Sequence, residues 1–343
     1  MTVDNTQPTG HNPIGGFTAE YLGEQLADNS CSRRDLGFAG SIAGQWFAVY
    51  GDTLWAAPGV RHPADDDVGG FHGMVRNSVS RLGADPLVVH DLDLNDRQRQ
   101  NQFAEWKAEW GESNTTGFGG TSIVETDAEA EEGAVFFLVN DNEGYTHAGI
   151  ARVKLVNGTP VAERLGKGWW DTSENAKYGD VAAYRDVHSD YIYALGHPPK
   201  QLDGKFVESQ YVYQVRVKAS RAFDLDAYEY WWGRQQGWKR ERLTSFTPET
   251  ACMWGAGQGQ IVFSNYFKTY MYVHVCGATV TIKTAPKPEG PWSEGKEIFT
   301  ATPIDGGLVY AGVAYPYLDE TGKTLAIAYT NNNHIQVIRV TFE

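Results

Sequence analysis

The sequence predicts an all-β protein folded as a five-bladed β-propeller, and two observations lead to this prediction. First, one pattern recurs: a Gly-rich segment leads into a short alternating strand, and a polar turn is followed by a strongly apolar strand. Second, few stretches have helical periodicity, although residues 95–110 are predicted to hold a short helix in an inserted loop. The spacing of the copies suits four-stranded blades with long loops. The copies begin near residues 37, 119, 179, 257 and 312.

Each copy supplies the two inner strands of one blade. The predicted strand pairs cover residues 37–43 with 46–52, 119–124 with 134–140, 179–184 with 191–197, 257–263 with 270–276, and 312–318 with 324–330. Third strands are predicted at residues 147–153, 212–217, 279–283 and 334–340. A single blade leaves its sheet faces exposed, and closure of the ring buries them.

The fifth blade lacks an outer strand, because the chain ends after its third strand. Residues 17–23 form an isolated strand pattern near the N-terminus, and we expect them to complete the last blade as its outermost strand. Residues 1–16 are then an N-terminal tail, and residues 17–343 form one catalytic domain. A β-sandwich with an extra domain is the competing architecture, but it gives no reason for five similar hairpins.

Asp35 and Asp52 lie at the same end of the first predicted hairpin. A tight turn at residues 44–45 pairs positions whose numbers sum to about 89, so both carboxylates emerge at the open end within reach of one ligand. Two carboxyl groups held close together are the minimum machinery for glycoside hydrolysis. The alternative is that both are ordinary strand-end or turn acids, which are common in β proteins.

The glycine-rich starts of the inner strands converge on the propeller axis, so residues near them should share one pocket. Asp180 is a third candidate catalytic acid there, orienting the substrate or raising the pKa of a neighbour. Carboxylates, amides and aromatic rings suit a neutral polyhydroxylated ligand. The candidate substrate-binding residues are Arg34, Trp55, Asn77, Thr121, Tyr178, Trp254, Gln260, Tyr310 and Tyr315. We expect Arg34 to hold Asp52 or a sugar hydroxyl.

The composition excludes several partners. A formal net charge of −14 disfavours nucleic acid and anionic membrane surfaces. No apolar run is long enough to span a bilayer. Aromatic residues make up 13% of the chain, which suits stacking on sugar rings, although large β folds also use them for packing. We therefore expect a polysaccharide or oligosaccharide substrate and a monomeric protein.

The N-terminal residues have neither a basic segment nor an apolar segment of a signal peptide. The protein is then cytosolic, or Met1 replaces a removed signal; the carbohydrate role favours secretion. Three cysteines are too few for a disulfide scaffold, and a bond between Cys252 and Cys276 is as plausible as two free thiols.

Motifs for other chemistries are missing from the sequence. No phosphate-binding loop, HExxH or paired-cysteine motif occurs, so we expect neither a cofactor nor a metal. The acidic run at residues 65–67 is interpreted as a solvated loop rather than a calcium site. His188, His197 and His274 are interpreted as ordinary strand-end or surface residues.

Several segments, in their order along the chain, resemble the DUF4185 family of five-bladed propeller glycoside hydrolases, which includes mycobacterial endo-D-arabinanases. These segments are residues 34–37, 47–53, 77–78, 213–217, 228–231, 237–238, 284–293 and 310–318. The resemblance implies glycosidase chemistry on D-arabinofuranosyl linkages. It also implies that the paired catalytic aspartates fall on Asp35 and Asp52.

Three functions are compared on this basis. In a hydrolase, one carboxylic acid protonates the leaving oxygen and one carboxylate acts on the opposite ring face. A carbohydrate-binding propeller without catalysis explains the aromatic residues but not the pair of acids. A polysaccharide lyase would need a cluster of basic residues, which the net charge and the single Arg near the predicted axis disfavour.

Overall fold

The computed structural model describes residues 10–57, 71–141, 144–202 and 210–343. It confirms the predicted fold class: the protein is an all-β, five-bladed propeller with five sheets around one axis, all antiparallel except for the parallel pairing of β2 with β7 in blade I. Helical structure in the described residues is limited to short 3₁₀ turns. These cover Ala108–Trp110, Lys200–Leu202, Ala219–Arg221, Leu225–Ala227, Ile304–Gly306 and Pro316–Leu318. The predicted helix at 95–110 is therefore reduced to one such turn.

The strands follow the predicted repeat. The first strand, β1 (Phe17–Glu24), precedes the first blade. Blade I contains β2 (Leu26–Ala27), β3 (Ser32–Ile42), β4 (Gln45–Trp55), β5 (Met74–Val75), β6 (Ser78–Leu82) and β7 (Val88–Asp91). Blade II contains β8 (Gly117–Gly120), β9 (Val124–Asp127), β10 (Glu132–Asp141), β11 (Gly144–Val156), β12 (Thr159–Arg164) and β13 (Trp170–Asp171).

The other three blades continue in chain order. Blade III contains β14 (Ala182–Asp186), β15 (Tyr191–Gly196), β16 (Tyr211–Lys218), β17 (Glu229–Trp231), β18 (Trp238–Lys239) and β19 (Met253–Trp254). Blade IV contains β20 (Gly259–Ser264), β21 (Thr269–Cys276), β22 (Thr279–Ala285) and β23 (Lys296–Thr300). Blade V contains β24 (Val309–Tyr315), β25 (Thr324–Asn331) and β26 (His334–Phe342).

The N-terminal strand closes the ring as predicted. β1 pairs antiparallel with β26, from Phe17 opposite Phe342 to Glu24 opposite Gln336, and is the outermost strand of blade V. Residues 10–16, the described residues before β1, pack against the propeller. Asn12 donates to the carbonyl of Ile282, and Ile14 is buried between blades IV and V.

The core lies between the blades. In the described part of the chain, each neighbouring pair of blades shares one cluster of buried apolar side chains, because strand residues alternate between the two faces of a sheet. Representative pairs are Val49 with Phe137, Phe136 with Tyr213, Leu195 with Ile261, Val273 with Ile327, and Phe38 with Val337. Most buried tyrosines therefore serve packing.

The first hairpin differs from its predicted register. Ile42 pairs with Gln45, so the turn is Ala43-Gly44, both with positive φ, and paired numbers sum to 87 rather than 89. Register shifts occur on both sides of Leu36, itself in the left-handed region with φ of 69°. Because Arg34 pairs with Thr53 and Leu36 with Tyr50, Asp35 lies opposite residues 51–52. Both aspartates are therefore at the open end.

Glycines allow the inner strands to approach at the axis. A Cβ atom on Gly40 would overlap the carbonyl oxygen of Ile123 in blade II. A Cβ on Gly312 would lie 2.9 Å from backbone atoms of His274 in blade IV. The described part of the chain contains no helix with the length and apolar character that a bilayer crossing requires.

We expect Gly40→Ala to lower the free energy of unfolding by about 1–3 kcal/mol, because its new methyl group would meet backbone rather than a flexible side chain. Gly83→Ala is the matched control, since a Cβ there meets nothing within 4 Å. Urea unfolding of both variants measures the effect. Equal unfolding midpoints would contradict this account of the axis.

Candidate active site

Asp35 occupies a partly buried position at the open end of the first hairpin. Its Oδ2 accepts a hydrogen bond of 2.7 Å from the hydroxyl of Tyr310, which begins the inner strand of blade V. Its Oδ1 is buried and has no well-formed hydrogen bond to any described residue. A Cβ atom on Gly51 would collide with this oxygen, so glycine leaves the space that the carboxyl occupies.

The pKa of Asp35 is raised to about 7. Burial is the main cause, and the charge of nearby Asp52 adds to it. The Tyr310 hydroxyl and the amides of Gly51 and Asp52 act in the opposite direction by favouring the carboxylate. The pKa of the Tyr310 phenol is itself raised by burial and by Asp35, so it remains a proton donor. Asp35 is therefore half protonated near neutral pH.

Asp52 has a different environment. Its side chain is 45% exposed, and its Oδ1 lies 3.4 Å from a guanidinium nitrogen of Arg76. Arg76 follows β5, which pairs with β4 immediately beyond Asp52. The Arg76 amide donates to Gln102 Oε1, which ties this segment to the inserted loop. Asp52 is therefore more solvated than Asp35 and lies beside a cation.

Asp180 lies at the start of blade III, just before β14, and is held by His197, which directly follows β15. The His197 amide donates to Asp180 Oδ1 at 3.0 Å, and His197 Nδ1 lies 3.0 Å from Oδ2. Burial lowers the pKa of His197, but the charge of Asp180 and its hydrogen bond outweigh burial and raise it overall. Both Asp180 oxygens are therefore engaged, which suits positioning better than proton transfer.

Asp180 and Tyr310 line one open cavity of about 660 Å³ at this end of the axis. Because Tyr310 also contacts Asp35, it links the first hairpin to the cavity. The lining comes from blades II to V and includes Gly119, Leu138, Tyr145, Lys177, Asp180, His197, Gln258, Leu308 and Tyr310. A cavity of this size and mixed polarity can hold sugar rings.

Arg34 does not hold Asp52 as predicted, since the cation beside Asp52 is Arg76. The Arg34 guanidinium is buried inside blade I, where it makes two bonds of 2.7 and 2.9 Å to Asp91 and one of 3.2 Å to Ser80. It also lies 4.7 Å above the ring of Tyr50. Neighbouring residues of a strand point to opposite faces, so Arg34 and Asp35 diverge.

Four more of the predicted substrate-binding residues pack or form hydrogen bonds within the protein. Tyr178 packs edge-on against Trp170 in the core of blades II and III, and the hydroxyl of Tyr315 accepts a hydrogen bond from Gln25 inside blades I and V. Asn77 and Trp55 hold the inserted loop. The Asn77 side chain accepts from the Ala104 amide at 2.6 Å, and Trp55 Nε1 donates to the Gln100 carbonyl.

The remaining three predicted substrate-binding residues are Thr121, Gln260 and Trp254. Thr121 is fully buried, and its hydroxyl has no partner among the described residues. Gln260 is buried on β20 and donates to the Ala39 carbonyl. Trp254 lies beneath the Lys283 ammonium at 4.4 Å. None of these three lines the cavity that contains Asp180.

Further predictions from the sequence concern the cysteines, His274 and the acidic run at residues 65–67. Cys252 and Cys276 form no disulfide with each other. His274 is fully buried rather than exposed, and burial beside Lys283 lowers its pKa to about 3. The acidic run at residues 65–67 lies outside the described residues.

Sequence reasoning missed two functional candidates. Arg76 precedes the 77–78 segment that carried part of the family resemblance, and that position is the signal available in the sequence. His197 directly follows the strand that returns toward Asp180, so the predicted hairpin of blade III already placed it at the same end.

Comparisons with known proteins agree with this fold. The model of a family described as "Domain of unknown function (DUF4185)" matches residues 137–341. No curated protein sequence matches the chain. A protein from Bacteroides ovatus is similar in structure, with 15% identity, a TM-score of 0.58, and coverage of 93% of this chain and 86% of the other.

Two carbohydrate-active enzymes are similar in structure as well. The exo-β-1,3-galactanase of Phanerochaete chrysosporium has 12% identity and a TM-score of 0.55 over 94% of this chain, which spans 64% of the galactanase chain. A GH43_1 enzyme of Xanthomonas citri, complexed with xylose, has 11% identity and a TM-score of 0.51, covering 94% of this chain and 90% of the other. At such identities the likeness shows a shared propeller fold.

We expect Tyr310→Phe to raise the pKa of Asp35 further, by roughly one to two pH units, because a hydrogen bond that favours the carboxylate is lost. Carboxyl-carbon NMR titration measures this shift. Tyr317→Phe is the control, since the Tyr317 hydroxyl donates to the Gly83 carbonyl. An unchanged Asp35 titration in Tyr310→Phe would show that the phenol does not tune this acid.

Proposed function

The chain belongs to the DUF4185 family, and we propose that it is a glycoside hydrolase that cleaves furanosidic, D-arabinofuranosyl-type linkages in a polysaccharide. The observation that carries the proposal is the unequal pair of aspartates at one hairpin end. Asp35 is buried with a pKa of about 7, and Asp52 is solvated beside Arg76. Glycosidases need one protonated and one ionised carboxyl group.

The different environments of Asp35 and Asp52 suit them to different catalytic roles. Asp35 is the general acid: it protonates the glycosidic oxygen as the bond to the anomeric carbon breaks. Asp52 is the carboxylate that acts on the opposite face of the sugar, either as nucleophile or as the base that activates water. Arg76 lies beside Asp52 and holds its side chain in place. Asp180, fixed by His197, positions the substrate in the cavity.

The choice of substrate has separate support. The furanoside preference is supported by the sequence segments that resemble those of endo-D-arabinanases. Fold neighbours that act on galactan or carry xylose support glycans as the substrate class. We propose a secreted location, because polymeric glycans of this kind lie outside the cell.

We expect Asp35→Asn and Asp52→Asn each to lower kcat by about a hundredfold or more, because an amide can neither donate the acid proton nor serve as the anionic partner. Release of reducing ends from arabinan, galactan and xylan measures the activity. Asp190→Asn is the control, since this surface carboxylate pairs with Arg185 at the other end of blade III.

Near-full activity of either site variant would refute its catalytic role. Cleavage of galactan or xylan but not of arabinan would keep the hydrolase and reject the furanoside preference. Glycan binding without reducing ends in the wild type would indicate a carbohydrate-binding propeller.

The pH dependence of the wild-type enzyme tests the assignment of the acid. Asp35 must be protonated to act, so kcat/KM should fall as the pH rises through about 7. Initial rates on one substrate across this range measure the alkaline limb. A rate that stays constant well above pH 7 would exclude Asp35 as the general acid.

A further inference from the structure

A second cavity opens at the opposite end of the axis from Asp35. Its volume is about 250 Å³, and inner strands of several blades contribute Ser41, Trp46, Ser122, Arg185 and Gln260. Ser41 and Asp35 lie at opposite ends of β3, six residues apart, so the two sites are separated by about 20 Å. The proposed catalytic residues therefore do not reach this cavity.

The cavity continues into a neighbouring one of about 460 Å³. The two share Trp46, Val187, Val262, Phe263 and Pro316, and together they form one groove, which we call the lower groove. Tyr317 lines its second part and stacks on Trp46, with ring centroids 4.8 Å apart and planes inclined by 27°. The groove therefore has an ordered aromatic wall.

Polar atoms in the lower groove lack partners. Gln260 Oε1 and Ser122 Oγ are buried, and neither has a hydrogen bond to a described residue. The two residues are only 5% and 4% exposed. The Gln260 amide is oriented by its Nε2, which donates to the Ala39 carbonyl at 3.0 Å. Buried polar atoms left without partners cost free energy, and a ligand with hydroxyl groups could satisfy them.

The two charged residues that line the first part of the groove, Arg185 and Glu125, are already engaged. Arg185 donates to the Glu125 carbonyl, to the Asp186 carbonyl and to the Asp190 carboxylate. The Glu125 carboxylate accepts from the Ala43 amide at 2.7 Å. The first part of the groove thus presents neutral acceptors and an aromatic wall. Asp319 and Glu320 line the second part, and these carboxylates and the net charge of −14 disfavour anions. These properties fit a neutral polyhydroxylated ligand.

We propose that the lower groove is a second glycan-binding site that holds a neutral oligosaccharide segment against Trp46. Ser122 and Gln260 accept hydrogen bonds from its hydroxyl groups. The site goes beyond the proposed hydrolysis and does not require it. Where both operate, binding at the lower groove raises the local concentration of polymer for the catalytic face.

Binding is tested in the Asp35→Asn background, which prevents turnover during the titration. The probes are neutral arabino-, xylo- and galacto-oligosaccharides, titrated by calorimetry. We expect two sites for at least one probe, and Trp46→Ala should weaken the second by about tenfold or more. Tyr266→Ala is the control, since this exposed tyrosine contacts Phe267 and lines neither part of the groove.

Ser122→Ala separates binding from folding. Removal of a buried hydroxyl without a partner should leave the melting temperature unchanged or slightly higher. It should nevertheless weaken the second site several-fold if a sugar hydroxyl bonds there. This variant keeps the proposal falsifiable even if Trp46→Ala destabilises the fold.

The outcomes distinguish the proposal from the hydrolase assignment. Binding that depends on Trp46 and Ser122 supports the lower groove, even if the wild type releases no reducing ends. Binding that is indifferent to both substitutions, at one site or at two, overturns the proposal. Absence of binding by every probe, or capture of an apolar peptide instead of the sugars, overturns it as well.

Discussion

The β-bulge at the start of the first inner strand is the constraint on which the site depends. Left-handed backbone at Leu36 and the register shifts around it place Asp35 opposite residues 51–52. A regular ladder would instead pair Asp35 with one residue of β4. The bulge also lies next to Arg34, whose two bonds to Asp91 anchor the strand inside blade I.

The two aspartates share a hairpin end but differ in solvation. Asp35 faces the first residues of blade V and loses water, and Asp52 remains near solvent and the Arg76 guanidinium. A difference in environment, more than a difference in residue type, sets acid and base roles in carboxylate pairs. The propeller creates this difference because blade V closes over one side of the hairpin.

The architecture was predictable from sequence, and the side-chain directions were only partly so. Alternating apolar strands and axial glycines predicted five blades and the closing strand. Its position next to Asp35 in the sequence predicts that Arg34 lines the pocket. Side chains alternate between the two faces of a strand, however, and this alternation turns Arg34 away from Asp35. The positive φ of Ala43 moved the turn by one residue, since alanine gives no signal for such a conformation. Arg76 lies beside Asp52 because β5 pairs with β4, and no local sequence pattern predicts this pairing.

The pairing of β1 with β26 has a consequence for how the molecule folds. Residues 17 and 342 come together only after all the residues between them have been synthesised, so the four earlier blades can form their hairpins on the ribosome first. The entropic cost of joining such distant segments grows only slowly with their separation. Contacts of high contact order nevertheless slow folding, and the last blade is therefore the natural rate-limiting step. Until it completes, the edge of β26 remains open to pairing with another chain.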